Sequence, residues 1–204
     1  MTVRSVRDVR PLLIRAHRGP GLEAEHPVSA VLSDTTGRVL RSIGPDMTTT
    51  WRSAAKPFQL EGSLSLLPPA TRQALDAVDL SLGAASHSAQ PAHIERVRDL
   101  MRRLGVTEDQ LQCGGHWPMH TESTHALLRG EGHCTAIHNN CSGKHAFMVA
   151  AAQNDGADTD YLDPNHPVQR AIRDRVERYS GHPTDDLGTD GCGAPCFVLP
   201  LSAM

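Results

Sequence analysis

Several features that would identify common protein classes are missing from this sequence. The 204 residues carry a formal net charge of −3 at pH 7, with 39% hydrophobic and 21% charged residues. These values exclude the usual signatures of disorder, of collagen and of a nucleic-acid-binding surface. The first twenty residues contain no continuous apolar stretch, so neither a signal peptide nor a membrane span is predicted there. We expect a globular, cytoplasmic protein without nucleic-acid or membrane partners.

Recognisable cysteine signatures are missing too. Five cysteines are an odd number, and without an export signal free thiols or metal ligands are expected rather than disulfides. The spacings C-x-x-C and H-E-x-x-H of common zinc sites do not occur. His116 and His120 are at helical spacing, but Pro118 interrupts a helix there, so loop and surface roles are expected for both. Three cysteines are expected only to pack against other residues: Cys113, Cys134 and Cys196.

Lysine is scarce, since eighteen of the twenty basic residues are arginine and only Lys56 and Lys144 remain. A guanidinium does not lose its proton in a protein, whereas a buried or metal-facing ammonium can become a neutral amine. A preference for arginine codons explains the bias but not where the two lysines stand. Lys56 follows Ser53, and Lys144 follows Cys141, by about one helical turn. Each lysine therefore accompanies a potential nucleophile or metal ligand.

Residue patterns predict a small amount of strand followed by helices. A hairpin is predicted over 28–43, because apolar residues alternate on both sides of the turn residues 34–37. The apolar segment at the C-terminus predicts an element that continues beyond Met204, so we expect a truncated protein. Five helices are predicted: one capped by Ser53, one from Pro91 to Leu104 ended by Gly105, one over 121–128 capped by Thr121, a buried one from Ser142, and one from Pro167 to Tyr179.

The first candidate catalytic feature is the S-x-x-K pattern of Ser53 and Lys56. A serine hydroxyl becomes nucleophilic when a neighbouring base takes its proton, and a desolvated lysine can be that base. The segment 86–88 offers a second hydroxyl that relays protons to the leaving group. The alternatives are structural: a capped helix with a surface lysine for the first motif, and a Ser88 cap of the Pro91 helix for the second.

Two other cysteines stand in segments that suit a metal site. Cys141 precedes a predicted helix, and Lys144 one turn later would stabilise a thiolate or bind the same cation. Cys192 lies in a tight, glycine-rich loop. Two thiolates and one further ligand, with an open fourth position, make a zinc site. Burial as small apolar side chains is the alternative for both cysteines.

Four motifs taken together resemble the rhizobial-type, or asparaginase II, family of L-asparaginases. They cover nearly the whole chain: Trp-Arg-Ser-Ala-Ala-Lys-Pro-Phe-Gln at 51–59, Ala-Ser-His-Ser at 85–88, Asn-Asn-Cys-Ser-Gly-Lys-His at 139–145 and Asp-Gly-Cys-Gly-Ala-Pro at 190–195. The resemblance implies an α/β (α+β) fold of the serine β-lactamase and glutaminase type, with a sheet flanked by helices. It also implies a single domain over 1–204, a homodimer, and hydrolysis of L-asparagine to L-aspartate and ammonia.

The resemblance assigns catalysis to three residues. Ser53 would attack the asparagine side-chain amide, Lys56 would be its base, and Ser86 would belong to a second Ser-Lys pair. The family chain is considerably longer, and the lysine partner of that second serine lies in the part that would follow Met204. The resemblance therefore implies that the C-terminal part of the family domain is missing, and that Ser86 lacks its base.

The resemblance also implies a zinc ion held by Cys141, Lys144 and Cys192, with a water completing the site. A lysine suits that role and an arginine does not, because a guanidinium has no lone pair to offer a metal. Three further residues match motif positions close to the substrate: Arg52, His145 and Asp190.

Two other functions remain as alternatives to the asparaginase. A catalytically inactive, truncated relative would bind zinc or a partner without turnover, which the apolar C-terminus favours. A penicillin-recognising serine hydrolase would use the same S-x-x-K chemistry. The missing export signal is an argument against the second alternative, since its targets lie outside the membrane.

Overall fold

The chain divides into two compact units. The computed structural model describes residues 6–8, 10–130 and 132–204. The first unit comprises residues 1–50 and 198–204, and the second comprises residues 51–197. Helices and small sheets together confirm the α/β class. The β-lactamase-like arrangement, the single domain and the truncation stay predictions. Within the described residues, no helix is long and apolar enough to cross a membrane.

Short strands build the first unit. The strands β2 and β3 form an antiparallel hairpin, β5 pairs antiparallel with β4 and parallel with β1, and β6 pairs antiparallel with residues 198–200. The strand bounds are β1 Val6–Asp8, β2 Leu12–Arg18, β3 Gly21–Val28, β4 Ala30–Ser33, β5 Val39–Ile43, β6 Thr48–Thr50 and, continuing from the second unit, β8 Pro195–Pro200.

The predicted hairpin is confirmed for β4 and β5, which flank the turn at 34–37. The carboxylate of Asp34 closes this turn by accepting hydrogen bonds from the Thr36 and Arg38 backbone amides. The hydrogen bond from the Thr36 hydroxyl lowers the pKa of Asp34 to about 2. The prediction was wrong at its first residue, since Val28 belongs to β3, which pairs with β2 instead.

Helices dominate the second unit, and its short strand β7 pairs antiparallel with residues 195–197 of β8. Helix α6 is buried from Ser142 to Ala152 and packs against α1, α3, α4 and α7, which confirms the predicted buried helix. The bounds are α1 Lys56–Ser65, α2 Pro69–Gln73, α3 Ala77–Ala84, α4 Pro91–Leu104, α5 Thr121–Arg129, α6 Ser142–Asp155, α7 Pro167–Ser180 and β7 Leu187–Thr189.

Two glycines allow these helices to approach closely. A Cβ on Gly143 would lie 2.5 Å from the carbonyl oxygen of Leu82, so the first turn of α6 rests on the end of α3. A Cβ on Gly62 would lie 2.6 Å from the Cα of Ile172, where α1 meets α7. The contact at Gly143 matters for the site, because the segment 85–88 follows α3 and therefore begins next to the start of α6.

Helix ends follow the sequence only in part. Gly105 ends α4 with φ 69°, a left-handed conformation that glycine adopts without strain, and this prediction is confirmed. The predicted caps Ser53 and Thr121 were wrong, and so was the alternative cap Ser88. Ser53 lies inside a 3₁₀ turn, Arg52–Ala55, which precedes α1. Helix α5 is capped by His120, whose ring accepts a hydrogen bond from the Ser123 amide. Helix α4 is capped by Gln90. These caps depend on local backbone geometry, which composition does not reveal.

Candidate active site

Ser53 is exposed in a strained turn that an ion pair ties to a neighbouring loop. Arg52, which precedes it, has φ 52°, a left-handed conformation that is uncommon for a residue with a side chain. Its Nε lies 2.8 Å from Oδ1 of Asp190. Such strain persists only where the surroundings hold it, and it is concentrated at functional sites. The turn therefore presents the Ser53 hydroxyl from a fixed position.

Lys56 is the first residue of α1, and its side chain is fully buried. Its Nζ donates to Ser86 Oγ at 2.7 Å and lies within 3.5 Å of the carbonyl oxygens of Ala85 and Asn140. No hydrogen bond joins Lys56 to Ser53 directly. Ser53 Oγ instead lies 3.4 Å from Ser86 Oγ. The three side chains form a row with Ser86 in the middle.

The surroundings of Lys56 favour its neutral form. Burial lowers its pKa, because a charged ammonium loses solvation away from water. Lys144 lowers the pKa further by repulsion, while Cys141 and Cys192 act in the opposite direction. The net shift is downward, which is the change that a lysine needs to accept a proton near neutral pH.

His87 fixes the segment that carries Ser86. Its backbone amide donates to the backbone carbonyl of Asn140. Its ring Nδ1 accepts a hydrogen bond from the Ala89 amide, so the ring proton is on Nε2, which donates to Ser142 Oγ at 2.8 Å. Burial lowers the pKa of His87 to about 4, so the ring is neutral near pH 7. The sequence analysis assigned no role to His87, although the residue lies within one of the four motifs.

The three predicted zinc ligands come together at the start of α6. Cys141 is the residue before the helix, Lys144 lies in its first turn, and Lys144 Nζ donates to Cys192 Sγ at 3.3 Å. All three side chains are buried. The interaction between the two thiols lowers the pKa of Cys192 and raises that of Cys141. Lys144 is thus placed to stabilise a thiolate at Cys192.

A tight loop positions Cys192. The backbone amide of Gly193 donates to the Asp190 carbonyl at 2.9 Å, and the Asp190 amide donates to the Ala194 carbonyl at 2.9 Å. Gly193 has φ 81°, which favours glycine at that position. Since Asp190 also pairs with Arg52, the same loop contacts the turn of Ser53 and the start of α6.

The donor chemistry of this cluster fits zinc. Two thiols and one amine are suitable ligands for a tetrahedral site whose fourth position takes water or substrate. The described residues contain no group of three or more His, Cys, Asp and Glu side chains that could hold a metal. The fit therefore depends on Lys144, whose amine binds a cation only when it has lost its proton.

Comparison with known protein families gives the ancestry of the chain. The model of the L-asparaginase II family matches residues 14–204, which include all four motifs. The chain belongs to the L-asparaginase II family. Membership implies an amidohydrolase that acts on asparagine. No curated protein matches the sequence.

His145, the third residue in this L-asparaginase II chain expected near substrate, is fully buried in α6. Its Nδ1 lies 2.8 Å from the hydroxyl of Tyr161, and burial lowers the pKa of the imidazole. Asn139 supports the same region, because its side chain donates to the carbonyls of Cys113 and Gly114. Asn139 belongs to the motif at 139–145, so the sequence could have indicated its role, whereas no sequence pattern indicated Tyr161.

Loop and surface roles were predicted for two histidines, and packing roles for three cysteines, and the structure agrees with one exception. His116 lies in a loop, where its Nε2 accepts from the Asn140 amide at 3.1 Å. His120 caps α5. Cys113 and Cys196 are buried, as predicted, whereas Cys134 is partly exposed. None of these side chains joins the cluster of Cys141, Lys144 and Cys192.

Proposed function

We propose that this chain hydrolyses the side-chain amide of L-asparagine through an acyl intermediate on Ser53. The observation that carries the proposal is the row of Ser53 Oγ, Ser86 Oγ and Lys56 Nζ, with separations of 3.4 and 2.7 Å. Family membership supports the substrate class. The exposed hydroxyl of Ser53 and the buried amine of Lys56 support a division between nucleophile and base.

Ser86 relays the proton between these two groups. Neutral Lys56 accepts a proton from the Ser86 hydroxyl while Ser86 accepts one from Ser53, whose oxygen attacks the amide carbon. The carbon–nitrogen bond then breaks, and the proton returns along the row so that the nitrogen leaves as ammonia. Water hydrolyses the resulting ester by the same route and releases aspartate. Lys56 thus supplies the base for Ser86 within the chain itself.

Arg52 and Asp190 provide opposite charges for a zwitterionic substrate. Their ion pair of 2.8 Å joins a largely exposed guanidinium to a carboxylate that is 10% exposed. The α-carboxylate of asparagine would pair with Arg52 and its α-ammonium with Asp190, which directs the side-chain amide toward Ser53. Both charges neighbour the nucleophile, because Arg52 precedes Ser53 directly.

Zinc would be held by Cys141, Lys144 and Cys192. The metal would orient the substrate and strengthen its binding rather than generate hydroxide, since the serine already provides a nucleophile. The 3.3 Å contact between Lys144 Nζ and Cys192 Sγ supports this ligand set.

The experiment is an assay of ammonia release from L-asparagine by the purified chain. Ser53→Ala and Lys56→Arg are expected to reduce kcat to the background rate, because the first removes the nucleophile and the second replaces the base with a permanent cation. Ser81→Ala is the matched control, since the exposed Ser81 hydroxyl donates to the Ala77 carbonyl of its own helix and to no other group among the described residues. Circular dichroism checks that each variant folds.

Other outcomes would contradict the proposal in different ways. Activity that survives in Ser53→Ala removes Ser53 as the nucleophile. Folded protein that binds zinc but releases no ammonia indicates the inactive relative. Covalent labelling of Ser53 by a penicillin, without amide hydrolysis, indicates the penicillin-recognising hydrolase.

The homodimer and the cytoplasmic location remain part of the proposal. Light scattering of the eluted protein measures its mass and tests the homodimer. A monomeric mass of about 22.0 kDa would contradict it.

A further inference from the structure

Ser142 is the first residue of α6, and its side chain is completely buried. Its Oγ donates to the carbonyl oxygen of Ile137 at 3.0 Å, and Nε2 of His87 lies 2.8 Å from the same Oγ. A serine hydroxyl has one hydrogen to donate, and the Ile137 carbonyl takes it, so Ser142 accepts the bond from His87. The hydroxyl therefore joins the start of α6 to a segment 55 residues earlier in the chain.

Ser86 is exposed, but its neighbours in the segment 86–89 are anchored in the interior. His87 and Ala89 are both buried, and Nδ1 of His87 accepts from the Ala89 amide at 3.2 Å. Ala89 has φ 55°, a left-handed conformation that is uncommon for a residue with a side chain. Such a conformation persists only where the surroundings hold it. The His87 ring holds it at one nitrogen, and Ser142 fixes that ring at the other.

Two further hydrogen bonds tie the segment through its main chain. The His87 amide donates to the Asn140 carbonyl at 3.2 Å, and the Ser88 carbonyl accepts from the His120 amide at 3.0 Å. Main-chain groups would make these bonds whatever the side chains. The bond between His87 and Ser142 is different, because it joins two buried side chains, and the loss of either partner leaves a buried polar group unpaired.

The position of Ser86 has little tolerance. Its Oγ lies 2.7 Å from Lys56 Nζ, but 3.4 Å from Ser53 Oγ. The longer distance is close to the limit of a hydrogen bond, at about 3.5 Å. A small displacement of the segment away from Ser53 would therefore break the row.

We propose that Ser142 is a positioning residue: through the ring of His87 it holds the hydroxyl of Ser86 in place for the proton relay. This role rests on the proposed function, because the position of Ser86 affects turnover only if its hydroxyl passes a proton. Ser142 is not itself a member of the row, and it acts on the row through the segment 86–89.

The first measurement is steady-state kinetics of ammonia release from L-asparagine. Ser142→Ala removes the hydroxyl and is expected to lower kcat by about 10²-fold with little change in KM, the effect of a misplacement of about 1 Å. Ser63→Ala is the matched control, because Ser63 is also buried and its hydroxyl donates to the Gln59 carbonyl of its own helix. The control should keep the kcat of the unaltered protein.

A double variant separates a positioning role from general damage to the fold. If Ser142 acts through Ser86, adding Ser142→Ala to Ser86→Ala should cause no further loss of kcat. A further loss as large as the one in the unaltered protein would show that the two residues act independently, and would overturn the proposal. A kcat of Ser142→Ala equal to that of Ser63→Ala would overturn it as well.

Amide hydrogen exchange provides a test that needs no activity. The amides of His87 and Ala89 donate hydrogen bonds, so they are expected to exchange slowly in the unaltered protein and in Ser63→Ala, and faster in Ser142→Ala. Unchanged exchange in folded Ser142→Ala would contradict the proposal. Fast exchange of both amides in the unaltered protein would contradict it even if Ser142→Ala fails to fold.

The two measurements also separate this inference from the proposed function. An unaltered protein that releases no ammonia contradicts the proposed function. Faster exchange in Ser142→Ala would still support the hold of Ser142 on the segment 86–89, so the two proposals fail separately.

Discussion

The side-chain nitrogen of Lys56 lies 2.7 Å from the hydroxyl oxygen of Ser86, thirty residues further along the chain. Lys56 begins α1, Ser86 follows α3, and the Asn140 carbonyl near the same nitrogen precedes α6. Three elements therefore meet at one buried amine. In the proposed mechanism this contact joins the base to the hydroxyl beside Ser53, so proton transfer would depend on the position of Ser86.

The role of Ser86 leads to a first prediction. Ser86→Ala breaks the row between Lys56 and Ser53, so kcat for asparagine is expected to fall by about 10²- to 10⁴-fold, as for the loss of a general acid–base group. KM should change little, because Ser86 is not one of the proposed substrate ligands. Steady-state kinetics measures both. A kcat equal to that of the Ser81→Ala control would show that Ser86 relays no proton.

Metal content gives a second prediction. The purified chain is expected to contain one zinc ion, and Cys192→Ser and Lys144→Arg should each reduce that content, since one removes a thiolate and the other an available lone pair. Elemental analysis after gel filtration measures the ratio. Cys134→Ser is the control, because Cys134 is partly exposed and outside the cluster. Equal zinc in all variants would place the metal elsewhere.

Packing at Gly143 gives a third prediction. Gly143→Ala adds a methyl group 2.5 Å from the Leu82 carbonyl, so α3 and α6 must separate. We expect the free energy of unfolding to fall by about 1–3 kcal/mol, the usual cost of overpacking. Denaturant titration measures the loss. Gly191→Ala, where a Cβ meets no atom within 4 Å, is the control and should be close to neutral. Equal stability of both variants would contradict the close approach.

His87 gives a fourth prediction, on pH. Its pKa is 6.5 when unperturbed and about 4 in the folded chain, so between these values the unfolded state binds more protons than the folded state. The contribution of His87 to the free energy of unfolding is therefore fully present above pH 6.5, and it is lost as the pH falls toward 4. Denaturant titrations at several pH values should show a weaker pH dependence in His87→Asn than in the unaltered protein.

A matched variant keeps this pH measurement specific. His125 is exposed, so His125→Asn should retain the full pH dependence of the unaltered protein. The buried His145, whose pKa is also lowered, contributes in the same direction in every variant. If His87→Asn and His125→Asn show the same pH dependence, His87 does not titrate as described.

Local patterns predicted some elements well and others poorly. The stripe of apolar residues and the closing glycine of α4 are properties of neighbouring positions, so the sequence was sufficient for them. The cap of α5 was assigned to Thr121 but belongs to His120, because an imidazole also accepts a backbone hydrogen bond. The sequence analysis missed Tyr161, because its contact with His145 joins two segments that no motif connects.

The sequence by itself determined which chemical groups are present and in what order, including the two lysines, the serines and the two thiols of the four motifs. Spacing along one helix turn also predicted that Lys144 would accompany Cys141. Only the tertiary structure decided that Lys56 reaches Ser86 rather than Ser53, and that Tyr161 meets His145. The reason is physical: spacing fixes contacts within a helix, whereas contacts between distant segments depend on how closely the helices pack.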